Sequence, residues 1–167
     1  MARPILTYGH PILRKATQPV ARVNGDLDQL IDDMVETMYA APGVGLAANQ
    51  VGSPHRVFVA NPSEDRDPST LLVLINPELV ESEGEIVAEE GCLSIPDFRE
   101  EVRRARRVLL RGLDRKGRPV EVEGEDLLAR IFQHEMDHLN GVLFVDRLSP
   151  AKRDILLRKL KKTFRDR

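Results

Sequence analysis

The chain is poor in cysteine and in aromatic residues. Its 167 residues include one cysteine and no tryptophan, and only 4% are aromatic. A single cysteine cannot form an internal disulfide, which indicates a reducing compartment. So few aromatic side chains provide no platform for stacking the bases of single-stranded nucleic acid. The sequence also lacks an apolar N-terminal segment and any run of about 18 apolar residues, so neither secretion nor membrane spanning is expected.

The apolar content is sufficient for one domain. Hydrophobic residues make up 41% of the chain, and its formal net charge is −2. A chain of this length can bury one hydrophobic core of adequate size. Composition alone does not separate an enzyme from a binding protein, so the function has to be inferred from motifs.

The most informative pattern is the segment QHEMDH at residues 133–138. On a helix, His134 and His138 project from one face because they are four residues apart, and Glu135 stands beside them. Two imidazoles at this spacing can bind a metal ion, and the adjacent carboxylate can act as a general base. The pattern therefore predicts a metal site that needs a third protein ligand.

The sequence after this motif offers no suitable third ligand. In metzincin proteases a third histidine follows a glycine, but here Gly141 occupies the glycine position and Phe144 stands where the histidine would be. Three downstream carboxylates remain. One is too near the motif and two lie in a segment dense in lysine and arginine: Asp146, Asp154 and Asp166. The third ligand is therefore expected upstream.

Upstream lies the single cysteine, Cys92, in the segment EGCLS at residues 90–94. One thiolate and two imidazoles would leave the fourth position of a tetrahedral site open for water, which is typical of a catalytic metal site. The glycine beside Cys92 would let the backbone approach closely. A buried structural cysteine is the alternative interpretation of this residue.

A third segment, GVGLAANQ at residues 43–50, combines small residues with one long amide side chain. It matches neither a phosphate-binding loop nor a dinucleotide-binding loop. Together, GVGLAANQ, EGCLS and QHEMDH closely resemble the motifs of the peptide deformylase family, in the same order. The resemblance extends from about Pro11 to Pro150.

The resemblance implies a role for each motif residue. The implied metal ligands are Cys92, His134 and His138, and the implied acid/base is Glu135. The implied donors to the formyl oxygen are Gln50 and the backbone N–H of Leu93. The implied reaction removes the formyl group of formyl-methionine from new polypeptides and releases formate. Ferrous iron is the implied metal, and zinc, nickel or cobalt could also occupy such a site.

A methionine side chain needs an apolar slot next to the metal. The family pattern supplies Val44, Gly45, Leu127, Ile131 and the ring edge of His134 as its candidate lining, although each of these could instead be ordinary core.

Two further arginines are candidates for roles near the motifs. Arg104 is expected to form a partly buried ion pair with Glu90 that holds the Cys92 loop. Arg99 is expected to contact the substrate backbone, or else to be a solvated surface residue.

The pattern of apolar residues predicts an α+β fold with mixed or antiparallel sheets packed around the metal-binding helix. Helices are expected at residues 26–39 and 125–140. The apolar face of the second helix is expected to be buried in the core, on the side that carries the histidines, and comprises Leu127, Leu128, Ile131, Phe132 and Leu139. Strands are expected at residues 56–60, 71–75, 84–88, 102–104, 108–114 and 119–122.

Residues 151–167 differ from the rest of the chain in charge. They carry eight Lys and Arg and two Asp, a net charge of +6. Leu156, Leu160 and Phe164 recur every four residues after Ser149-Pro150, which predicts a helix with one apolar stripe. We expect residues 1–150 to form the catalytic metallohydrolase domain and this basic helix to be appended to it. The helix either contacts ribosomal RNA or is simply a solvated face.

Two other functional classes are compatible with the HExxH motif. A metallopeptidase shares the HExxH motif but is disfavoured by a cysteine ligand. A protein with a structural metal site is disfavoured by Glu135 and by the lack of a fourth protein ligand. The bacterial cytosol is the simplest expected location, and an organellar form is the alternative.

Overall fold

The computed structural model describes residues 1–164. Within these residues the α-helices and β-strands are, in chain order, α1 (Gly25–Ala40), β1 (Gly45–Ala47), β2 (Val57–Ala60), β3 (Leu72–Glu83), β4 (Ile86–Cys92), β5 (Ile95–Arg104), β6 (Arg107–Leu113), β7 (Pro119–Glu125), α2 (Asp126–Leu139) and α3 (Pro150–Phe164). No described helix combines the length and apolar character that crossing a membrane requires.

The strands form two sheets in the described part of the chain. Five of them pair in the order β1-β2-β3-β6-β7, and β4 pairs with β5 in a separate hairpin. Every one of these pairings is antiparallel. The predicted α+β class with antiparallel sheets, a central HExxH helix and a C-terminal helix is confirmed.

The central sheet has a helix on each face, because alternate side chains of β2 point to opposite sides. Val57 and Val59 pack in the cluster that contains α1. Phe58 and Ala60 pack in the cluster that contains α2, where the rings of Phe58 and Phe132 lie 5.9 Å apart. The metal-motif helix is therefore held in the core by its own apolar residues, as the sequence predicted.

Three strands extend beyond their predicted ends. β3 continues to Glu83 instead of ending at Ile75, and its pairing with β6 shifts register twice, between Ile75 and Glu78 and between Leu79 and Glu81. These irregularities and the exposure of residues 78–83 remove the alternation on which strand prediction relies. β4 and β5 likewise extend beyond the predicted strands, so Cys92 ends a strand and does not lie in a loop.

The C-terminal helix α3 docks on the core through the predicted stripe. Leu156, Leu160 and Phe164 are buried in a cluster with Ile95 of β5 and Phe144. The other α3 positions are exposed, apart from one half-buried leucine. Residues 165–167, which the sequence assigns to the same basic segment, lie outside the described residues.

Gly141, two residues after the end of α2, occupies a backbone position that suits only glycine. Gly141 has φ +76°, and its N–H donates to the carbonyl of His138 at 3.0 Å. A Cβ at this position would lie 2.6 Å from the backbone oxygen of Arg14. The glycine therefore lets the chain pass close beside the N-terminal segment immediately after the last histidine of the motif.

We expect Gly141→Ala to lower the free energy of unfolding by more than about 1 kcal/mol, because the substitution adds left-handed strain and a backbone clash. Gly25→Ala is the matched control, since a Cβ there meets no atom within 4 Å and alanine favours the helix that Gly25 starts. Urea unfolding of both variants measures the difference. Equal stability of the two would contradict this account of Gly141.

Candidate metal centre and active site

The helix α2 and the end of β4 bring the three predicted metal ligands together. The Nε2 atoms of His134 and His138 lie 3.2 Å apart, and the Sγ atom of Cys92 lies 3.3 Å from Nε2 of His138. The potential ligand atoms of all three residues lie within 4.8 Å of one another. The cysteine at the end of β4 and the two histidines of α2 thus converge on one point.

This arrangement fits a divalent metal ion. With metal–nitrogen bonds of about 2.1 Å and a metal–sulfur bond of about 2.3 Å, tetrahedral ligand atoms lie about 3.4–3.6 Å apart. The separations of 3.2 and 3.3 Å are close to those values. Three protein donors of this kind leave one coordination position for water or substrate, which is typical of catalytic sites.

The two imidazoles are prepared for ligation in different ways. Nδ1 of His134 lies 2.9 Å from Oε1 of Glu90, which leaves its Nε2 free to face the centre. Burial lowers the pKa of His138 well below its usual value, which favours the neutral ring that a metal ligand requires. Although burial alone would lower it, the hydrogen bonds to Cys92 and Glu90 raise the pKa of His134. The peptide oxygen of His138 accepts a hydrogen bond of 2.5 Å from the amide of Asn49 in the first motif.

Behind His134 lies a buried network of charged side chains. Arg104 donates through Nε and Nη2 to both oxygens of Glu90, at 2.8 and 2.9 Å, and through Nη1 to Asp137 at 2.6 Å. Arg147 donates to Asp137 at 2.7 and 3.1 Å. Although burial alone would raise it, the hydrogen bonds from Arg104 and His134 hold the pKa of Glu90 at about 2.

The sequence predicted only the first pair of this network and placed it as partly buried. In the structure the side chains of Glu90 and Arg104 are both buried, and the pair extends to Asp137 and Arg147. A role for Asp137 in this network could have been inferred from its position within the motif, because the apolar pattern predicted that this helix is buried. Arg147 gave no local signal, because its partner lies in another element.

Glu135 is buried beside the metal ligands. Its Oε1 atom has no hydrogen-bond partner among the described residues, and burial raises the pKa of its carboxyl to about 7. A Cβ at residue 45 would lie 2.5 Å from Oε2 of Glu135, so Gly45 is what allows the first motif to approach this carboxylate. The side chain is thus held in place by packing while one oxygen stays available.

Gln50 is fixed with its amide nitrogen towards the centre. Its Oε1 accepts from the backbone N–H of Ala47 at 3.0 Å, and its Nε2 donates to Oγ of Ser94 at 3.0 Å. The same Nε2 lies 3.9 Å from Sγ of Cys92. The amide is therefore oriented as a hydrogen-bond donor close to the metal ligands.

These side chains lie at one end of a cavity of about 610 Å³. The structure places every predicted site residue on its wall except the buried His138, and it adds Arg130, which the sequence reasoning missed. The lining comprises Pro42, Gly43, Val44, Gly45, Gln50, Glu89, Glu90, Gly91, Cys92, Leu93, Ile95, Asp97, Phe98, Arg99, Leu127, Arg130, Ile131, His134 and Glu135.

Three of the predicted substrate-binding residues have side chains that are too exposed to belong to the core. Val44 is 44% exposed and Leu127 is 48% exposed, so the prediction that Leu127 packs in the buried face of α2 is wrong. Both instead border the cavity, where an apolar side chain remains accessible. Arg99 is an exposed residue whose Nε donates to the carboxylate of Glu89 at 2.7 Å.

Two strand edges flank the cavity. In the described part of the chain β1 pairs only with β2, and β4 pairs only with β5, so each has one edge without a strand partner. Residues of both strands line the cavity. An extended peptide placed between these edges would find backbone donors and acceptors on both sides.

Comparison with known proteins gives a consistent result across the chain. A sequence model of the family described as polypeptide deformylase matches residues 2–154. A peptide deformylase of Alkalilimnicola ehrlichii is 54% identical over 163 residues, covering 96% of this chain and 90% of that protein. One from Thermodesulfovibrio yellowstonii is 49% identical over 157 residues, covering 94% of this chain and 95% of that protein.

Solved structures agree. The crystal structure of a peptide deformylase from Legionella pneumophila superposes with a TM-score of 0.90 at 48% identity, covering 99% of this chain and 96% of that one. A peptide deformylase from Ehrlichia chaffeensis in complex with actinonin gives a TM-score of 0.89 at 36% identity, covering 98% of each chain.

Loss of one proposed ligand tests the metal centre. We expect Cys92→Ala to lower metal affinity by more than about 100-fold, since losing a ligand costs more than the 10–100-fold that losing a ligand's hydrogen-bond partner costs. Ser94→Ala, a buried neighbour that is not a ligand, should keep its metal through dialysis. Metal analysis of both variants decides, and full occupancy in Cys92→Ala would remove Cys92 from the ligand set.

Proposed function

The chain belongs to the peptide deformylase family and is a metal-dependent hydrolase that removes the N-formyl group from nascent peptides, and we propose how its residues divide that work. Cys92, His134 and His138 hold the metal. Ferrous iron is the proposed working ion, because mixed thiolate and imidazole ligands suit it and the family resemblance implies it. When bound, such an ion polarises a carbonyl oxygen and makes water a better nucleophile at neutral pH.

We propose that Glu135 moves the proton. It accepts a proton from the attacking water as the water oxygen bonds to the formyl carbon, and it then donates that proton to the amide nitrogen as the carbon–nitrogen bond breaks. The products are formate and a free amino terminus. The observation that supports this role best is its buried carboxylate on the cavity wall, with one oxygen that has no partner among the described residues.

Gln50 and the backbone N–H of Leu93 are proposed to stabilise the negative charge that develops on the formyl oxygen. The support is the fixed orientation of the Gln50 amide and the place of both residues on the cavity wall. A donor aimed at a developing oxyanion typically contributes about 10²–10³-fold in rate.

The proposed path of the peptide runs between the free edges of β1 and β4. A chain that enters there would be recognised through its backbone, which suits an enzyme acting on many different nascent peptides. The methionine side chain is proposed to enter the slot lined by Val44, Gly45, Leu127, Ile131 and the ring edge of His134. Arg99 stands at the rim of the cavity next to Gly91 and is proposed to contact the substrate backbone.

The ribosome is the proposed partner of the basic face of α3. Its apolar stripe is buried against the core, which turns the lysines and arginines of the helix outwards. An exposed cationic helix can bind the phosphates of ribosomal RNA in a salt-dependent way. We also propose that the protein is located in the bacterial cytosol. This location is in keeping with its bacterial relatives and its single cysteine.

Replacing the proton carrier tests the proposed chemistry. We expect Glu135→Gln to retain the bound metal but to release formate from a formyl-Met peptide at least about 100-fold more slowly, since only proton transfer is lost. The assay compares wild type and variant loaded with the same metal, and an N-blocked peptide with internal labels reports any peptidase activity. Cleavage of that internal peptide by wild type, without formate release, would contradict the proposed function.

Neutralising the exposed face of α3 tests the proposed partner. Deleting the helix would remove buried Leu160 and Phe164, so the better variant keeps the helix and changes four exposed cations to glutamine: Arg158, Lys159, Lys161 and Lys162. We expect unchanged rates on short formyl-Met peptides and co-sedimentation with ribosomes weakened at least about tenfold at low salt.

The control for this experiment carries the same charge change elsewhere on the surface. Four exposed cations outside α3 serve for it: Lys15, Arg22, Arg106 and Lys116. Equal loss of sedimentation in both variants would show that net charge, and not the α3 face, determines ribosome binding.

A further inference from the structure

A chain of hydrogen bonds runs from a proposed metal ligand to the surface of the protein. It begins at His134 and passes through Glu90, Arg104 and Asp137 to Arg147. The first four side chains are at most 12% exposed, whereas that of Arg147 is 49% exposed. Arg147 also lines a cavity of about 450 Å³ beside α2, together with Arg104 and Asp137. Arg147 is thus the member of this network that meets solvent.

Arg147 binds the carboxylate of Asp137 through two hydrogen bonds. Its Nη2 donates to Oδ1 of Asp137 at 2.7 Å, and its Nε donates to Oδ2 at 3.1 Å. Oδ2 also accepts from Nη1 of Arg104 at 2.6 Å, but no other described residue donates to Oδ1. Because a buried carboxylate is costly unless its oxygens are hydrogen-bonded, Asp137 depends on Arg147 for one of its two oxygens.

The buried Arg104 is shared between two carboxylates. Its Nε and Nη2 donate to the two oxygens of Glu90, and its Nη1 donates to Asp137. Glu90 in turn lies 2.9 Å from Nδ1 of His134 and orients that ring. Without Arg147, Asp137 would be a buried charge with Arg104 as its only donor. Asp137 would then draw the shared guanidinium away from Glu90, and the support of the His134 ring would weaken.

We propose that Arg147 is a positioning residue of the metal centre, which slows the loss of the metal by keeping Arg104 on Glu90 and thereby His134 in place. Groups that hydrogen-bond directly to a metal ligand typically contribute about 10–100-fold to metal affinity. Arg147 acts through three intervening side chains, so its contribution should be smaller. This inference rests on the proposed function, in which Cys92, His134 and His138 hold the metal.

The test measures how fast the metal leaves the protein. Wild type and variants are loaded with Co²⁺, and its transfer to an excess of chelator is followed at low salt, where the half-exposed ion pair is least screened. We expect Arg147→Gln, which lacks the charge, to lose cobalt at least about fivefold faster than wild type. Arg147→Lys keeps the positive charge and can still donate to Oδ1 of Asp137, but not in the bidentate way, so its rate should lie between the two.

Arg14→Gln is the matched control. Arg14 donates to the carboxylate of Asp146, the neighbour of Arg147 in the turn after α2, and its side chain is 43% exposed. This variant loses the same charge and an ion pair to the same turn, but it leaves the buried network intact. It should therefore lose cobalt at the rate of wild type.

Three results would overturn the role of Arg147. They are an unchanged rate in Arg147→Gln, an equal increase in Arg14→Gln, and a lysine variant that loses cobalt as fast as the glutamine variant. The second would show that the turn as a whole supports the centre, and the third that the charge has no part in it. Failure of wild type to bind cobalt would instead overturn the proposed metal ligands.

Discussion

The burial of polar side chains on one core helix is the constraint on which the rest of the structure depends. The helix α2 carries His134, Glu135, Asp137 and His138, and it also packs against the central sheet. A charged or polar group in an apolar interior is costly unless it is paired. Three of these side chains have partners on other elements: His134 contacts Glu90, Asp137 accepts from Arg104, and His138 lies beside Cys92. Those partners determine how the elements are placed, and Glu135 is the one whose Oε1 has no hydrogen-bond partner among the described residues.

Arg104 of β5 connects the partners of these side chains to one another. It bonds both Glu90 on β4 and Asp137 on α2, so one guanidinium holds the hairpin against the helix. Glu90 in turn orients His134. Asp137 also accepts a hydrogen bond from Arg147, which lies in the turn after the helix. Because removing one member leaves another charge buried without its partner, the network favours a single arrangement of the metal ligands.

Sequence reasoning works where the pattern is local. The spacing of His134 and His138, the apolar stripe of α3 and the fold class follow from periodicities of the chain. The ligand role of Cys92 follows from the lack of a suitable ligand after His138 and from the family resemblance, whereas the roles of Gln50 and Leu93 come from the resemblance alone. The full length of β3 is not local information, because two register shifts interrupt its alternation. Arg104 and Asp137 form a hydrogen bond although they lie 33 residues apart in the chain, and no spacing rule predicts such a pair.

The docking of α3 has a consequence for how the chain can vary. Its buried positions share a cluster with Ile95, with Phe144 and with the partly buried Cys92, and the ring of Phe144 stacks against His134 at 6.5 Å. Unfolding of the terminal helix would therefore uncover the side chains that support the catalytic centre. Substitution of its exposed charges would change only the outer surface of the protein, whereas substitution of its three buried apolar residues would disturb the packing behind the metal ligands.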